Sequence, residues 1–312
     1  MNEKPRGFEK DSLAAELRTG TMSLNQTEDR VLPAGQPELA AGEALQPKPS
    51  LGVRLFRLLS FLPNLGLLVF LIAAWQFASK VWLPSIDPHM AVLMPAPTVI
   101  AKTAAGMIVS GELWFHLLAS IKREAVAFLF SAIAIPLGIA MGWWRVVYNQ
   151  VSPIMEILRP IPPLAWIPLS ILWLGIGDEQ NEFIIFLGMF FPILVNTIVG
   201  VKNIEPNLVR AARSLGAPEY KVLARVVFKG ALPQIITGIR IGLGVGWMAL
   251  VAAELVGANS GLGFLINDAR SMLRTDVIVV GMLTIGLIGL LIDVAIRVLS
   301  RRLLPWSLAL GR

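Results

Sequence analysis

Few side chains in this sequence can do covalent or acid–base chemistry, and their spacing narrows what they can do. Among 312 residues there is no cysteine. That excludes disulfides, thiol catalysis, iron–sulfur clusters and cysteine-based zinc sites. The two histidines, His89 and His116, stand 27 positions apart beside proline or aromatic residues, a poor basis for a metal site. No HExxH, Gly-x-Ser-x-Gly or G-x-x-x-x-G-K-[ST] pattern occurs, so nothing marks a hydrolase or an ATP-binding phosphate loop. Gly244-Val245-Gly246 lies inside an apolar run, not between a strand and a helix, and is not a nucleotide fingerprint. Glu254 and Asp293 are isolated carboxylates in long apolar runs, not a hydrolytic pair. No catalytic residue and no metal ligand is assigned, and the chain does not read as an enzyme.

The elements that carry these residues are membrane spans. The chain is 55% hydrophobic and 15% charged, with a mean hydropathy of +0.68, whereas soluble domains carry about 25% charged residues. Residues 1–50 are polar and rich in Pro and Gly, with six basic and eight acidic residues. They cannot bury enough apolar surface to order themselves and read as a disordered cytoplasmic tail. In 51–62, leucines at helical spacing with Arg54 and Arg57 on another side suit an interfacial amphipathic helix; the first turns of the next span are an equal reading.

A span needs about 20 apolar residues. Six candidates follow, at 61–78, 125–144, 164–176, 183–201, 235–258 and 277–299. Trp143-Trp144 would anchor the second in the interface. Pro162, Pro163 and Pro168 should kink or shorten the third. In the 79–120 connection, Thr98 could cap a helix. Six spans place both termini on one face. Lys202, Arg210, Arg213, Lys221, Arg225, Lys229, Arg301, Arg302 and Arg312 share that face, which makes it cytoplasmic. Lys122 and Arg123 would then lie outside, a local violation of the rule. The +6 net charge is thus a topology signal. No basic run is interleaved with aromatics, so nucleic acid is not an expected partner.

The 202–233 connection is too regular for a simple turn. It reads KNIEPNLVRAARSLGAPEYKVLARVVFKGALP. Pro206 can start a helix, because its missing N–H is not needed in the first turn. Leu208, Ala211, Ala212 and Leu215 make an apolar face. Gly216 ends the helix where a left-handed residue is needed. Pro218 starts a second helix with Tyr220, Leu223, Val226 and Val227 as its face, and Leu232-Pro233 closes it. A helix, a glycine break and another helix, flanked by positive charge, suit insertion into a groove of a partner protein.

This segment resembles the EAA loop of ABC importer permeases, whose pattern is Glu-Ala-Ala, three residues, Gly, and a later Leu-Pro. It stands here as Arg210-Ala211-Ala212, Arg213-Ser214-Leu215, Gly216 and Leu232-Pro233. Residues from about 60 to 307 are similar to the type I fold. Arg159-Pro160-Ile161-Pro162-Pro163-Leu164-Ala165-Trp166, Gly175-Ile176-Gly177, Val251-Ala252-Ala253-Glu254, Gly261-Leu262-Gly263 and Leu304-Pro305-Trp306 resemble the taurine/sulfonate and nitrate/bicarbonate branch. Arg210 stands where the general pattern has Glu, and Lys229 where many relatives have Pro.

The resemblance implies an all-α polytopic fold of about six spans (MetI-like), with a permease domain at 61–307 in the bacterial inner membrane and both termini cytoplasmic. It implies a second copy of the permease, two ATPase subunits that carry the ATP and magnesium, and a periplasmic binding protein; this chain would hold no cofactor. Arg210, Ala211, Ala212, Arg213, Leu215, Gly216, Ala217, Leu232 and Pro233 would couple the spans to the ATPase. The solute would be a small anion moved by alternating access: taurine or another sulfonate, nitrate or bicarbonate. An aromatic acid or a thiamine-precursor pyrimidine is an alternative within the branch, and a secondary transporter driven by an ion gradient is an alternative outside it.

In the fifth span, Gly238, Gly242, Gly244 and Gly246 place small residues at helical spacings. They either pack one helix closely on another or line the route. Arg240 and Glu254 share this span, about 21 Å apart along a helix, and cannot pair within it. Arg240 would snorkel, pair with the 202–233 element or attract the anion; Glu254 would fix a neighbouring loop. The candidate route residues are Arg240, Gly242, Gly246, Glu254, Pro163 and Pro168.

Overall fold

The computed structural model describes residues 62–87 and 90–303. The expected tail at 1–50, almost all of the interfacial helix at 51–62, His89, the Leu304-Pro305-Trp306 segment and Arg312 lie outside the described residues. Backbone polar groups in lipid must be satisfied within the chain, which helices do locally. Every regular element among the described residues is helical. Five helices are long and apolar enough to cross a bilayer, or six if one bent pair counts as a span.

Helix α1 (Leu62–Phe77) runs on through a π-turn at Ala78–Trp82 and a single turn at Leu83–Ile86. The first span therefore reaches Ile86 rather than ending near 78. Pro84 sits in the first turn of its short piece, where no N–H is needed. Helix α2 (Pro97–Ser110) starts at Pro97, so Thr98 is not its cap. Gln76 of α1 takes that role. The Thr98 N–H donates to Gln76 Oε1 at 3.2 Å, and Gln76 Nε2 donates to Thr98 Oγ1 at 3.2 Å.

Helices α3 (Glu112–Ser131) and α4 (Ala134–Trp143) form one span that begins well before Ala125. The break between them traces to Pro136, which cannot donate to the Ala132 carbonyl; the Ile135 N–H does so instead, at 3.0 Å. The third span is longer than 164–176 and broken. Helix α5 (Arg145–Leu158) and the limb made by a 3-10 turn (Pro163–Trp166) and α6 (Ile167–Leu174) meet at 81°.

Helix α7 (Asp178–Lys202) is followed by α8 (Pro206–Ser214), a single turn at Glu219–Val222, a π-turn at Leu223–Val227 and α9 (Phe228–Gly257). Glu219–Gly257 is one continuous helical run, so Leu232-Pro233 does not close a helix as expected. Pro233 lies inside α9. Ala231 and Ile235 on either side are buried against Val201, Val222 and Val227, which holds the helix through the proline. The carbonyl of Lys229 that Pro233 leaves unbonded belongs to an exposed residue. Helices α10 (Leu262–Ser271) and α11 (Thr275–Leu303) complete the fold.

Helix α7 is the centre of the bundle. Of its apolar window 61% is buried, against 6% for the first span. Ile184, Ile185, Met189, Ile193 and Leu194 are enclosed, and α9 lies along it on a seam of glycines. A Cβ on Gly238 would stand 2.8 Å from Asn196 Cβ, one on Gly242 3.1 Å from the Met189 carbonyl, and one on Gly246 2.5 Å from Met189 Cε. Nothing larger than hydrogen fits there without movement, so these three glycines pack helix on helix. Gly244 differs, with no atom within 4 Å of a Cβ.

Candidate coupling element and translocation route

Lys202, Arg210, Arg213, Lys221, Arg225 and Lys229 gather where α7, α8 and the start of α9 meet, which defines a basic end of the bundle. Helix α8 begins at Pro206, and Gly216 takes φ +76 beyond it. The Gly216 N–H donates to Arg213 O at 2.9 Å and the Ala217 N–H to Ala212 O at 3.1 Å. This pattern ends a helix on a left-handed residue.

The apolar face of α8 is not the one the spacing predicts. Val209, Ala212 and Ala217 turn inward onto the cluster of Val201, Val222, Val227, Ala231 and Ile235. Leu208, Ala211 and Leu215 turn out, and Leu215 is 87% exposed. On the next turn Val222 and Val227 are buried while Tyr220 is 68% exposed. Leu223, Val226 and Val227 pack inward as their spacing predicts, and Val222 takes the place expected for Tyr220. The element thus rests on a small apolar base and presents Leu208, Leu215 and Tyr220 outward. Arg213 is held by Glu219 at 2.9 Å and lies 5.7 Å over the Trp143 ring; Arg210 donates to Asn207 Oδ1 at 2.6 Å. Trp143 and Trp144 line a groove of about 840 Å³ beside α8, together with Arg210, Arg213 and Tyr220. Leu232 and Pro233 are half-buried on α9, apart from the outward face.

The other sequence candidates separate. Gly242 and Gly246 face α7 in the seam. Pro168 is exposed in the first turn of α6. Arg240 does not reach the 202–233 element; its Nε donates to Asp293 Oδ1 on α11 at 2.7 Å, and Arg297 also pairs with Asp293. Pro163 lines a cavity of about 340 Å³ between the α5–α6 break, α7 and α9, with Arg159, Phe191, Asn196, Ile241 and Val245. Arg159 enters the sequence argument only as the head of a motif. A proline-rich break placed beside an arginine in an otherwise apolar span is the signal that could have singled it out.

At the far end, Glu254 is enclosed in a polar knot. Arg123 Nη1 donates to Glu254 Oε1 at 2.7 Å and to the Ser260 carbonyl at 2.7 Å, Nη2 to Ser260 Oγ at 2.9 Å, and Nε to Asp178 Oδ1 at 2.8 Å. Ser120 Oγ donates to Glu254 Oε1 at 2.8 Å, and the Gly263 N–H to Oε2 at 2.8 Å. The Gly261 N–H donates to His116 Nδ1 at 3.1 Å. A Cβ on Gly261, at φ +112, would meet the Glu254 carboxylate at 2.2 Å. Glu254 thus fixes the Ser260–Gly263 loop, and Arg123 is an internal ion-pair partner rather than a charge left on the wrong face.

A bundle of spans with a helix–glycine–helix elbow at its basic end offers a partner protein an exposed contact there. Residues 134–305 match the family described as binding-protein-dependent transport system inner membrane component, and the chain belongs to that family. It is 42% identical to the taurine transport system permease protein TauC of Escherichia coli, over 78% of this chain and 89% of the relative. A putative ABC transporter permease protein of Methanocaldococcus jannaschii is 42% identical over 78% of this chain and 90% of its own. The nitrate import permease protein NrtB of Leptolyngbya laminosa is 31% identical over 75% and 85%. These relatives are transport subunits, not enzymes, and the family places this chain in an inner membrane beside an ATPase and a binding protein.

Proposed function

We propose that this chain is the permease of an ATP-driven importer for a small oxyanion, of which taurine, another aliphatic sulfonate or nitrate is the class. Two copies form the route, two ATPase subunits bind beneath, and a periplasmic binding protein delivers the solute. The basic end and both termini face the cytoplasm. ATP binding closes the ATPase pair, α8 and Gly216 move with it, and the spans rock between inward-open and outward-open states. Arg210, Ala211, Ala212, Arg213, Leu215, Gly216 and Ala217 form the coupling contact, with Leu232 and Pro233 behind it. The solute class is drawn from the relatives named for taurine, sulfonates and nitrate.

The observation that carries this reading is the outward apolar set Leu208, Leu215 and Tyr220 on an elbow whose inner side is already packed. A helix edge this apolar and exposed marks an interaction surface. Gly216→Asp tests it. No atom crowds a Cβ at Gly216 and Asp can adopt its left-handed backbone, so the substitution leaves the bundle intact but adds a negative charge at the elbow. Expected are normal membrane levels, at least a tenfold loss of coupled uptake and weakened capture of the ATPase; Gly216→Asn, which tolerates this backbone, retains more. Unchanged uptake by Gly216→Asp would remove the coupling assignment. Accumulation by the reconstituted permease from an ion gradient, without any ATPase, would replace the importer with a secondary transporter.

A further inference from the structure

The mid-bundle cavity carries a cation that the protein does not neutralise. Arg159 lines the 340 Å³ cavity and also a second one of about 220 Å³, which runs beside Tyr148, Glu156 and Lys202. Among the described residues Arg159 has no carboxylate within ion-pair distance, as is also true of Arg145, Arg210, Arg225, Arg270, Arg301 and Arg302, but of these Arg159 alone lines the two cavities. Arg240, the sequence candidate for attracting an anion, is already engaged by Asp293.

The depth of Arg159 follows from α7. At 1.5 Å per residue, Asn196 and Leu187 on the cavity wall stand about 9 and 22 Å from Lys202, and Leu187 about 14 Å from Asp178 at the other end. The cavity therefore lies within the roughly 30 Å of hydrocarbon. At that depth the chain between α5 and the 3-10 turn is not helical, and Pro160, Pro162 and Pro163 have no N–H to give. Irregular backbone at membrane depth persists only inside protein or along a water-filled cavity. Arg159 is exposed in the single chain and opens onto the cavity, where water or a counter-charge can reach it. An ionised side chain there faces water or a counter-charge and marks an ion or substrate path.

We propose that Arg159 is the permease's own contact for the transported oxyanion. The guanidinium sits where the two cavities meet and offers its planar fork of donors to a sulfonate or nitrate group, which then passes along the second cavity toward Lys202. Glu156 lines that cavity too, so the anion there meets two basic groups and one acidic group. The assignment rests on the importer reading above. A cation after the last turn of α5 also offsets that helix's dipole, so the test must read transport rather than assembly.

The chain contains no cysteine, so Arg159→Cys places a single thiol in it. The full complex of permease, ATPase and binding protein is reconstituted in proteoliposomes and tested with labelled taurine, ethanesulfonate and nitrate, continuing with whichever the unsubstituted complex accumulates. If it accumulates none of these, the importer reading for this solute class fails first. Otherwise Arg159→Cys should reach the membrane, assemble with the ATPase subunits and lose at least tenfold in uptake. A water-soluble aminoethyl thiosulfonate should modify the thiol, restore the positive charge and return uptake to within threefold. The sulfonatoethyl reagent, attached to the same extent by mass spectrometry of this chain, should restore nothing. Full uptake by unmodified Arg159→Cys, equal effects of the two reagents, or a thiol unreactive to both would overturn the proposal. Arg159→Gln and Arg159→Lys provide the second comparison, with lysine expected to keep several times more uptake. If no uncharged variant assembles, Arg159 is a structural residue and the proposal falls.

Discussion

Arg123 and Glu254 lie on different spans, yet each is almost fully enclosed and supplies the other's charge. Burying two ions is repaid only by close geometry and by hydrogen bonds to the remaining polar atoms, and Ser120, Ser260, Asp178 and the Gly263 N–H provide those bonds. Removing Arg123 therefore leaves Glu254 as an uncompensated buried charge, at a cost of about 3–5 kcal/mol, whereas removing Glu254 leaves Arg123 its bridge to Asp178 at 2.6 Å and costs less. Arg123→Met and Glu254→Met should each lower the thermal unfolding temperature of the detergent-purified complex, Arg123→Met by more. The double variant should lose less than the sum of the two, which a double-mutant cycle reads as coupling. Additive losses would mean that the pair does not act as a unit. Glu124, the next residue along, has a buried carboxylate with no hydrogen-bond partner among the described residues, so the support given to Glu254 is specific to its place in the knot.

Between elements, the seam of α7 and α9 decides how close two helices can come. Gly238 meets Asn196 Cβ and the Ile193 backbone, while Gly244, six residues along the same helix, faces open space. Gly238→Ala should destabilise the complex by separating the helices, and Gly244→Ala should leave its melting temperature unchanged or slightly raised, since alanine favours helix over glycine by about 1 kcal/mol. Equal responses would show that spacing, not contact, governs the site. The glycine spacing itself was legible in the sequence, as were α7, the start of α8 at Pro206 and the left-handed Gly216, because each follows from a local rule. The edges of the second and fifth spans were not. Arg123 and Glu124 disqualify residues 112–124 by hydropathy, and only contacts with α7, α9 and the Ser260 loop make such a charged stretch part of a span. Pro233 reads as a helix end, and only burial of Ala231 and Ile235 carries the helix past it. The outward face of α8 was hidden because Leu208, Ala211 and Leu215 are as helically spaced as Val209 and Ala212, and only contact with the Val201, Val222 and Val227 cluster decides which side turns inward. Arg159 was visible only as a motif residue; its importance comes from a cavity that three distant segments create.

For the molecule as a whole, orientation decides whether the elbow can meet an ATP-driven partner at all. Ion pairs temper the charge of the far end: Arg123 and Lys122 both reach Asp178, at 2.6 and 3.5 Å, and Arg274 lies 4.0 Å from Asp276. Lys221, Arg225, Lys229, Arg301 and Arg302 at the basic end have no ion pair among the described residues. Free positive charge is retained on the cytoplasmic face, so the larger unpaired set at the basic end, against Lys80, Lys102 and Arg270 at the far end among the described residues, predicts α8 inside. Single-cysteine variants test this directly in a chain without native thiols. Leu215→Cys on the elbow and Val109→Cys near the end of α2 both replace side chains more than four-fifths exposed, at 87% and 88%. A membrane-impermeant maleimide should label Val109→Cys in intact spheroplasts and Leu215→Cys only in inside-out vesicles. The reverse pattern would place the elbow outside, away from any source of ATP, and no choice of solute or pathway residue would then rescue an importer mechanism for this bundle.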